Sequence, residues 1–225
     1  MPHQQHDHIV RSFDEERARL REELLRMGQM AASQLEAALD VVERRDDAAA
    51  RRVIDNDEAI DALEKEINED VVKLALRGPL ARDLREILAA LRVASDIERI
   101  GDYAANVAKR SLALNQSPAL PITRGLKGLV RIATRQLREV LVAYREGDAG
   151  AAQQIRENDA ELDQMYTGLF RELLTYMMED ARAITPCTHL LFMAKNIERI
   201  GDHAVNVAEW VQFVRTGRYK DESMF

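Results

Sequence analysis

Pairs of carboxylate side chains four residues apart lie in a segment that the chain repeats. The two copies of this segment are IERIGDYAANVAK at 97–109 and IERIGDHAVNVAE at 197–209. They agree at 10 of 13 positions, and each places an aspartate four residues after a glutamate: Glu98 and Asp102, then Glu198 and Asp202. On a helix, residues i and i+4 lie on the same face one turn apart, so each copy predicts two anions side by side.

A second set of paired carboxylates precedes each copy of the repeated segment. Asp57 and Asp61 lie in the sequence NDEAID, and Asp159 and Asp163 lie in the related sequence NDAELD. Each half of the chain therefore offers two carboxylate pairs from two different segments. The sequence does not fix the helix register that would make the two pairs face each other.

These four carboxylates per half predict a cation site, because clustered anions repel unless a cation lies among them. Carboxylate oxygens are hard ligands that suit magnesium, calcium, manganese and iron. Asn106 and Asn206 extend the two stripes by one further turn with another oxygen-bearing side chain. The alternative is a solvated acidic face, with Arg99 and Arg199 neutralising the carboxylates.

Several enzyme classes are disfavoured by the same residues. No cysteine or histidine stands at ligand spacing beside the carboxylates, which disfavours a zinc site. A di-iron oxidase needs Glu-x-x-His motifs, and no glutamate in the chain is followed by histidine three positions later. A two-metal hydrolase would need an open ligand position and a shaped pocket, neither of which the sequence indicates. We therefore expect a protein that is not an enzyme.

Composition and charge narrow the possible classes of protein further. The formal net charge of −7 argues against nucleic-acid binding, which needs clustered lysine and arginine. The N-terminal sequence has no apolar core of a signal peptide, and no stretch of apolar residues is long enough to span a bilayer. The single cysteine, Cys187, is expected to be buried and reduced. These features favour a cytoplasmic protein.

Apolar residues recur at steps of three and four along most of the chain, and glycine and proline are scarce. This pattern predicts an all-α fold of six long helices, arranged as two tandem three-helix bundles related by the internal repeat. The predicted divisions are a flexible tail at 1–9, a first bundle at 10–114, a linker at 115–121, a second bundle at 122–215 and a tail at 216–225.

Two further local predictions concern helix ends and a close contact. Asp46 or Asp47 in the first half, and Asp148 in the second, should cap the second helix of each bundle. Gly101 and Gly201 lie mid-helix, where glycine costs about 1 kcal/mol relative to alanine. We interpret them as points where another helix or an ion approaches closely, and close helix packing is the favoured alternative.

Taken together, these motifs resemble the PhoU family of phosphate-signalling regulators. The resemblance covers nearly the whole chain and rests on tandem three-helix units, D-x-x-x-D and E-x-x-x-D motifs, and ERIGD followed shortly by NVA. PLARDLR, at Pro79 to Arg85, resembles the family's entry to its third helix. The second half departs from this pattern, with TPCTHL at Thr185 to Leu190 in place of the Arg82 to Arg85 surface.

The resemblance implies a cytosolic regulator that links the ATPase subunit of a phosphate ABC transporter to a phosphate-sensing histidine kinase. It would restrain uptake and repress starvation genes when phosphate is plentiful, reach the membrane only through its partners, and form a homodimer. Family members bind iron, zinc, manganese or magnesium at the carboxylate motifs. The implied ligands here are Asp57, Asp61, Glu98, Asp102, Asp159, Asp163, Glu198 and Asp202.

The sequence also bears on how phosphate is sensed and on the alternative of a bundle without metal. No Gly-rich loop of the nucleotide-binding kind is present, so we expect phosphate to be sensed through the partners. A structural or interaction bundle without metal remains the alternative. It predicts that alanine at Asp102 and Asp202 is silent apart from small changes in stability.

Overall fold

The protein is a bundle of long antiparallel helices. The computed structural model describes residues 3–120 and 124–218, with side chains from residue 12 onward, and no strand occurs within these ranges. The helices are α1 His3–Arg44, α2 Asp47–Asp55, α3 Asp57–Ala75, α4 Ala81–Leu114, α5 Arg124–Glu146, α6 Ala149–Asn158, α7 Ala160–Glu179 and α8 Ile184–Thr216, with a 3-10 turn at Ala181–Ala183 before α8. The all-α prediction of two repeated three-helix units is confirmed.

The second helical rod of each half is divided by a one-residue break that the sequence pattern did not predict. Asn56 separates α2 from α3, and Asp159 separates α6 from α7. Both residues keep right-handed helical backbone angles, and the Ala59 N–H bonds to the Asn56 carbonyl at 3.1 Å, a tighter 3-10 step. Each rod therefore continues in one direction, and the predicted count of six long rods stands.

The helix bounds can be set beside the predicted divisions, which stay a prediction. α1 begins at His3 and not near residue 10, because residues 3–27 contain neither glycine nor proline to stop it. The linker predicted at 115–121 follows α4, which ends at Leu114, although residue 121 lies outside the described residues. The predicted tail at 216–225 begins at the last residue of α8, and its residues from 219 lie outside the described part.

The third rods of the two halves, α4 and α8, form the centre of the molecule. They contact each other more extensively than any other pair of helices, and each is covered by the other rods of its own half. The buried face of both is built largely from small and branched residues, including Ala104, Ala108, Ala204 and Ala208. Short side chains let two helices approach closely, and the resulting hydrophobic core runs continuously through both halves.

A polar network crosses the seam between α4 and α8. Asp96 Oδ1 lies 2.8 Å from His203 Nδ1 and accepts a hydrogen bond from Asn206 Nδ2 at 3.1 Å. Tyr103 lies beside the His203 ring, with 5.6 Å between centroids, and accepts a hydrogen bond from Arg199 at 3.1 Å. Asn206, which lies one helical turn after Asp202, thus also joins the two halves through its amide nitrogen.

The helix caps follow the predictions. Asp46 accepts the N–H of Ala49 at 2.9 Å, and Asp148 accepts the N–H groups of Gly150 and Ala151 at 2.9 and 3.1 Å. A carboxylate in this position satisfies backbone donors that the first turn of a helix leaves free. Cys187 is buried, as predicted.

Candidate functional site

In the first half, α3 and α4 meet where the sequence places its carboxylate pairs. A Cβ atom at Gly101 would lie 3.0 Å from Ile60 Cδ1 and 3.1 Å from Asp57 Oδ1. The missing side chain therefore lets the start of α3 rest directly on α4. This close approach brings Asp57 against the turn of α4 that carries Glu98 and Asp102.

A glutamine from α1 holds the Asp57 carboxylate in place. Gln34 is buried, and its Nε2 donates to Asp57 Oδ1 at 2.8 Å and lies 3.2 Å from the Gly101 carbonyl oxygen. One amide group thus ties three rods of the first half together at the site. An oriented carboxylate loses less side-chain freedom on binding a ligand than one that moves freely.

Two carboxylates of the first half, those of Asp57 and Glu98, have raised pKa values. Burial raises the pKa of Asp57, and the Asp102 and Asp61 carboxylates raise it further against the hydrogen bond from Gln34. Burial also raises the pKa of Glu98, to which Asp102, Glu64 and Asp61 add. The four predicted residues therefore lie in one neighbourhood, with Glu64 as a fifth carboxylate.

The second half repeats this arrangement on α5, α7 and α8. A Cβ atom at Gly201 would lie 2.3 Å from Leu162 Cδ2 and 3.4 Å from Asp159 Oδ1, so the contact is even closer. Gln136, on α5, donates to Asp159 Oδ1 at 3.2 Å, as Gln34 donates to Asp57 in the first half. Burial raises the pKa of Asp159, and the Asp163 and Glu198 carboxylates add to the rise.

Asp202 is the most strongly perturbed carboxylate of the second half. Although part of its side chain faces solvent, the surrounding protein and the Glu198, Asp159 and Asp163 carboxylates raise its pKa to about 6. The opposing influence of Lys195 is smaller than those of burial, Glu198 and Asp159. The second set of four predicted residues is therefore also gathered in one place.

The two sites differ in their basic residues. In the first half, Arg99 donates to Asp102 at 3.0 Å, as the solvated-face alternative supposed. In the second half, Arg199 donates instead to Tyr103 across the seam, and Lys195 Nζ lies 2.6 Å from Glu198. The second site thus contains an ammonium group of its own, 5.4 Å from the centre of the Tyr166 ring.

The repeated units match one protein family over most of their length. The family model described as "PhoU domain" matches residues 24–111 and again 126–211. The chain belongs to the PhoU family. Both copies of the domain include the carboxylate pairs and the glutamine that orients the first aspartate.

Individual PhoU proteins are similar along nearly the whole chain. The phosphate-specific transport system accessory protein PhoU homolog of Xylella fastidiosa strain 9a5c is 65% identical over 210 residues, which cover 93% of this chain and 89% of that protein. The Escherichia coli K12 protein is 34% identical over 94% of this chain and 88% of its own length. The crystal structure of PhoU from Pseudomonas aeruginosa superposes with a TM-score of 0.86 at 34% identity, covering 92% of this chain and 100% of that one.

The donor chemistry of both PhoU repeats fits a hard cation, but the side chains are not arranged as ligands around one point. Each half gathers mutually repelling carboxylates, and Gln136 Oε1 is buried without a hydrogen-bond partner among the described residues. Within those residues, however, no three acidic, histidine or cysteine side chains converge as a metal site would require. Ion binding would therefore require the carboxylates to rotate toward one another.

Sequence reasoning missed Gln34, Gln136, Glu64 and Lys195. The two glutamines could have been found, because they are separated by 102 residues, as are Asp57 and Asp159. Glu64 and Lys195 left no such signal, since the positions that correspond to them in the repeat hold Tyr166 and Ser95. These two residues distinguish the halves and do not belong to their shared pattern.

We predict that Asp202→Asn stabilises the protein at neutral pH. An acid whose pKa is raised on folding, here from 3.8 to about 6, binds its proton more tightly in the folded state. The free energy of unfolding therefore rises as the pH falls from about 6 toward 4, and ionised Asp202 destabilises the fold above that window. A shift of this size corresponds to about 3 kcal/mol, which solvent exposure reduces to about 1 kcal/mol.

The measurement is urea unfolding in chelator across this pH range. The gain from Asp202→Asn should shrink as the pH falls, because the wild-type carboxyl then becomes neutral too. Glu172→Gln removes an exposed carboxylate of α7 far from both motifs and serves as the matched control. An equal gain at every pH would show that the Asp202 charge is not its cause.

Proposed function

We propose that this protein is a negative regulator of phosphate uptake and of the phosphate-starvation response. It would act in the cytoplasm, linking the ATPase subunit of a phosphate ABC transporter to a phosphate-sensing histidine kinase. The observation that supports this most directly is the 65% identity, over most of both chains, to a protein named as an accessory of the phosphate-specific transport system. The preservation of two complete PhoU domains supports it as well.

The surface of the bundle supports action through partners. Large apolar side chains are exposed near the turn between the last two rods of each half, and exposed apolar patches commonly mark protein interfaces. Val72 and Leu76 at the end of α3 correspond to Leu174 and Met178 at the end of α7, all of them exposed. In the described ranges no helix is long and apolar enough to cross a bilayer.

The regulator would not be an enzyme, and its carboxylates would bind cations and not perform acid–base chemistry. Iron, zinc, manganese or magnesium would be held by Asp57, Asp61, Glu98 and Asp102 in one half and by Asp159, Asp163, Glu198 and Asp202 in the other. The bound ion would neutralise the mutual repulsion that adds to the effect of burial in raising the pKa values of Glu98 and Asp202, and it would fix the rods relative to one another. We expect the protein to act as a homodimer.

The test is alkaline phosphatase activity in phosphate-rich medium, measured in a strain that lacks this gene. We expect high activity in the deletion strain and repression when the wild-type gene is returned. Asp102→Ala with Asp202→Ala should restore repression only partly if the cation sites serve signalling, at protein levels matched by immunoblot. Low activity in the deletion strain would refute the regulatory proposal, whereas full repression by the double variant would refute only the signalling role of the carboxylates.

A further inference from the structure

A cleft rich in arginine lies between the two halves, away from both carboxylate sites. Its volume is about 200 Å³. The first half contributes Arg21 from α1 and Arg82 from the first turn of α4, and the second contributes Arg145 at the end of α5 and Arg215 at the end of α8. Four arginines thus line one small space in a chain whose net charge is −7.

Two carboxylates in the cleft neutralise only part of this charge. Glu86 is paired with Arg21, and Glu146 lies 3.3 Å from Arg145. Among the described residues, Arg82 and Arg215 form no ion pair and no hydrogen bond through their side chains, and both are exposed. The cleft therefore retains two positive charges that the protein itself leaves unsatisfied.

The position of Arg82 strengthens this conclusion. The N-terminus of a helix carries partial positive charge, so an arginine in the first turn opposes the helix dipole. Leu80 precedes α4 and supplies no side-chain hydrogen bond to its free N–H groups. A bound anion would be favoured by both the helix end and the guanidinium group. Arg85, one turn further, places its guanidinium against Gly217 and adds a further cation nearby.

The internal repeat does not duplicate this cleft. The residues that correspond to Tyr144, Arg145 and Glu146 are Val42, Glu43 and Arg44, and the residue that corresponds to Arg215 is Asn115. Arg182, which corresponds to Arg82, is bound by the Asp180 carboxylate at 2.9 Å. The arginine cluster is therefore a feature of one end of the molecule, with one cleft per chain.

We propose that this cleft binds a small oxyanion of the phosphate class, held between Arg82 and Arg215. A volume of about 200 Å³ is smaller than the pockets that hold drug-sized ligands, so it suits inorganic phosphate or pyrophosphate and not a nucleotide. Guanidinium groups bind such oxyanions through paired, charge-assisted hydrogen bonds. Because the cleft is lined by both halves, the bound anion bridges them. This site goes beyond the proposed regulatory function and needs no Gly-rich loop.

Isothermal titration calorimetry of the full chain with sodium phosphate, pyrophosphate and sulfate tests the proposal at an ionic strength of about 0.15 M. We expect saturable binding of one anion per chain. Arg82→Gln with Arg215→Gln should weaken it at least about tenfold. The matched control is Arg131→Gln with Arg171→Gln, which removes two exposed arginines from α5 and α7 and should leave binding unchanged.

The three anions distinguish the sources of the oxyanion. Preference for phosphate over sulfate would identify the free ion as the ligand, and preference for pyrophosphate would identify a phosphoanhydride. No saturable heat with any of them at about 10 mM would overturn the proposal, as would unchanged affinity in the Arg82 and Arg215 variant. Neither result would bear on the proposed regulatory function, which is tested separately by phosphatase repression.

Discussion

Gly201→Val is expected to lower the free energy of unfolding by about 2–3 kcal/mol. Even a Cβ atom at this position would lie 2.3 Å from Leu162 Cδ2, and valine adds two further methyl groups. Leu162 is completely buried and has little room in which to move aside. Either α7 must shift away from α8 or side chains must leave their preferred rotamers, and both are costly in a close-packed core.

The same substitution should also disturb the second carboxylate site. A Cβ atom at Gly201 would lie 3.2 Å from Gln136 Oε1 and 3.4 Å from Asp159 Oδ1. Displacing α7 would separate Asp159 from Glu198 and Asp202, which lie on α8. We therefore expect the pKa of Asp202 to fall back toward its ordinary value in this variant.

Gly168→Val is the matched control for Gly201→Val. Gly168 is an exposed residue of α7 with no other atom within 4 Å of a Cβ at its position. Glycine disfavours a helix interior more than valine does, so this substitution should be neutral or stabilising by a few tenths of a kcal/mol. Equal stability of the two variants in urea unfolding would show that α7 and α8 do not meet as closely as the structure indicates.

Features that both halves share were the ones that the sequence could predict. The six rods follow from apolar periodicity, and the carboxylate pairs follow from a spacing that occurs twice. Residues that occur at matching positions in both halves belong to a common framework, because both units pack their helices with the same side chains. Gln34 and Gln136 belong to this framework, because they are separated by the same 102 residues as Asp57 and Asp159.

Features that arise where different rods meet could not be predicted in this way. The Lys195–Glu198 pair and the Asp96–His203 contact occur once each, so repetition gives no signal for them. The arginine cleft draws single residues from four rods that are far apart in sequence. Its existence depends on the register between the two halves, which periodicity does not determine. The breaks at Asn56 and Asp159 were hidden because neither glycine nor proline marks them.

Divalent cations are expected to stabilise the protein through the carboxylate sites. Addition of Mn²⁺ or Mg²⁺ at 100 times its dissociation constant should raise the free energy of unfolding by about 2.7 kcal/mol per occupied site. The physical reason is that the ion replaces repulsion among carboxylates with attraction. Burial is the main cause of the raised pKa values of Asp57 and Glu98, and this repulsion adds to it. Thermal unfolding with metal and with chelator measures the gain.

The gain should depend on the acidic motifs and not on charge in general. Replacing Asp57, Asp61, Asp159 and Asp163 with asparagine should abolish it. Glu22→Gln with Glu172→Gln, which removes exposed carboxylates from α1 and α7, should retain it. Metal stabilisation that survives the fourfold variant would place the ion elsewhere. No stabilisation of the wild type would favour the alternative in which the carboxylates form solvated faces.

The two halves should contribute unequally to this stabilisation. Lys195 lies 2.6 Å from Glu198, so the second site already contains a positive charge that an incoming cation must oppose or displace. The first site also contains cations, Arg99 paired with Asp102 and Lys109 near Asp57. Arg99 is more exposed than Lys195, however, and the Glu64 carboxylate adds a further negative charge to the first site. Asp57→Asn with Asp61→Asn should therefore remove more of the metal-dependent gain than the corresponding pair at Asp159 and Asp163. In a Lys195→Ala background, the two pairs of substitutions should remove similar amounts of metal-dependent stabilisation. Equal losses with Lys195 present would show that Lys195 does not weaken cation binding at the second site.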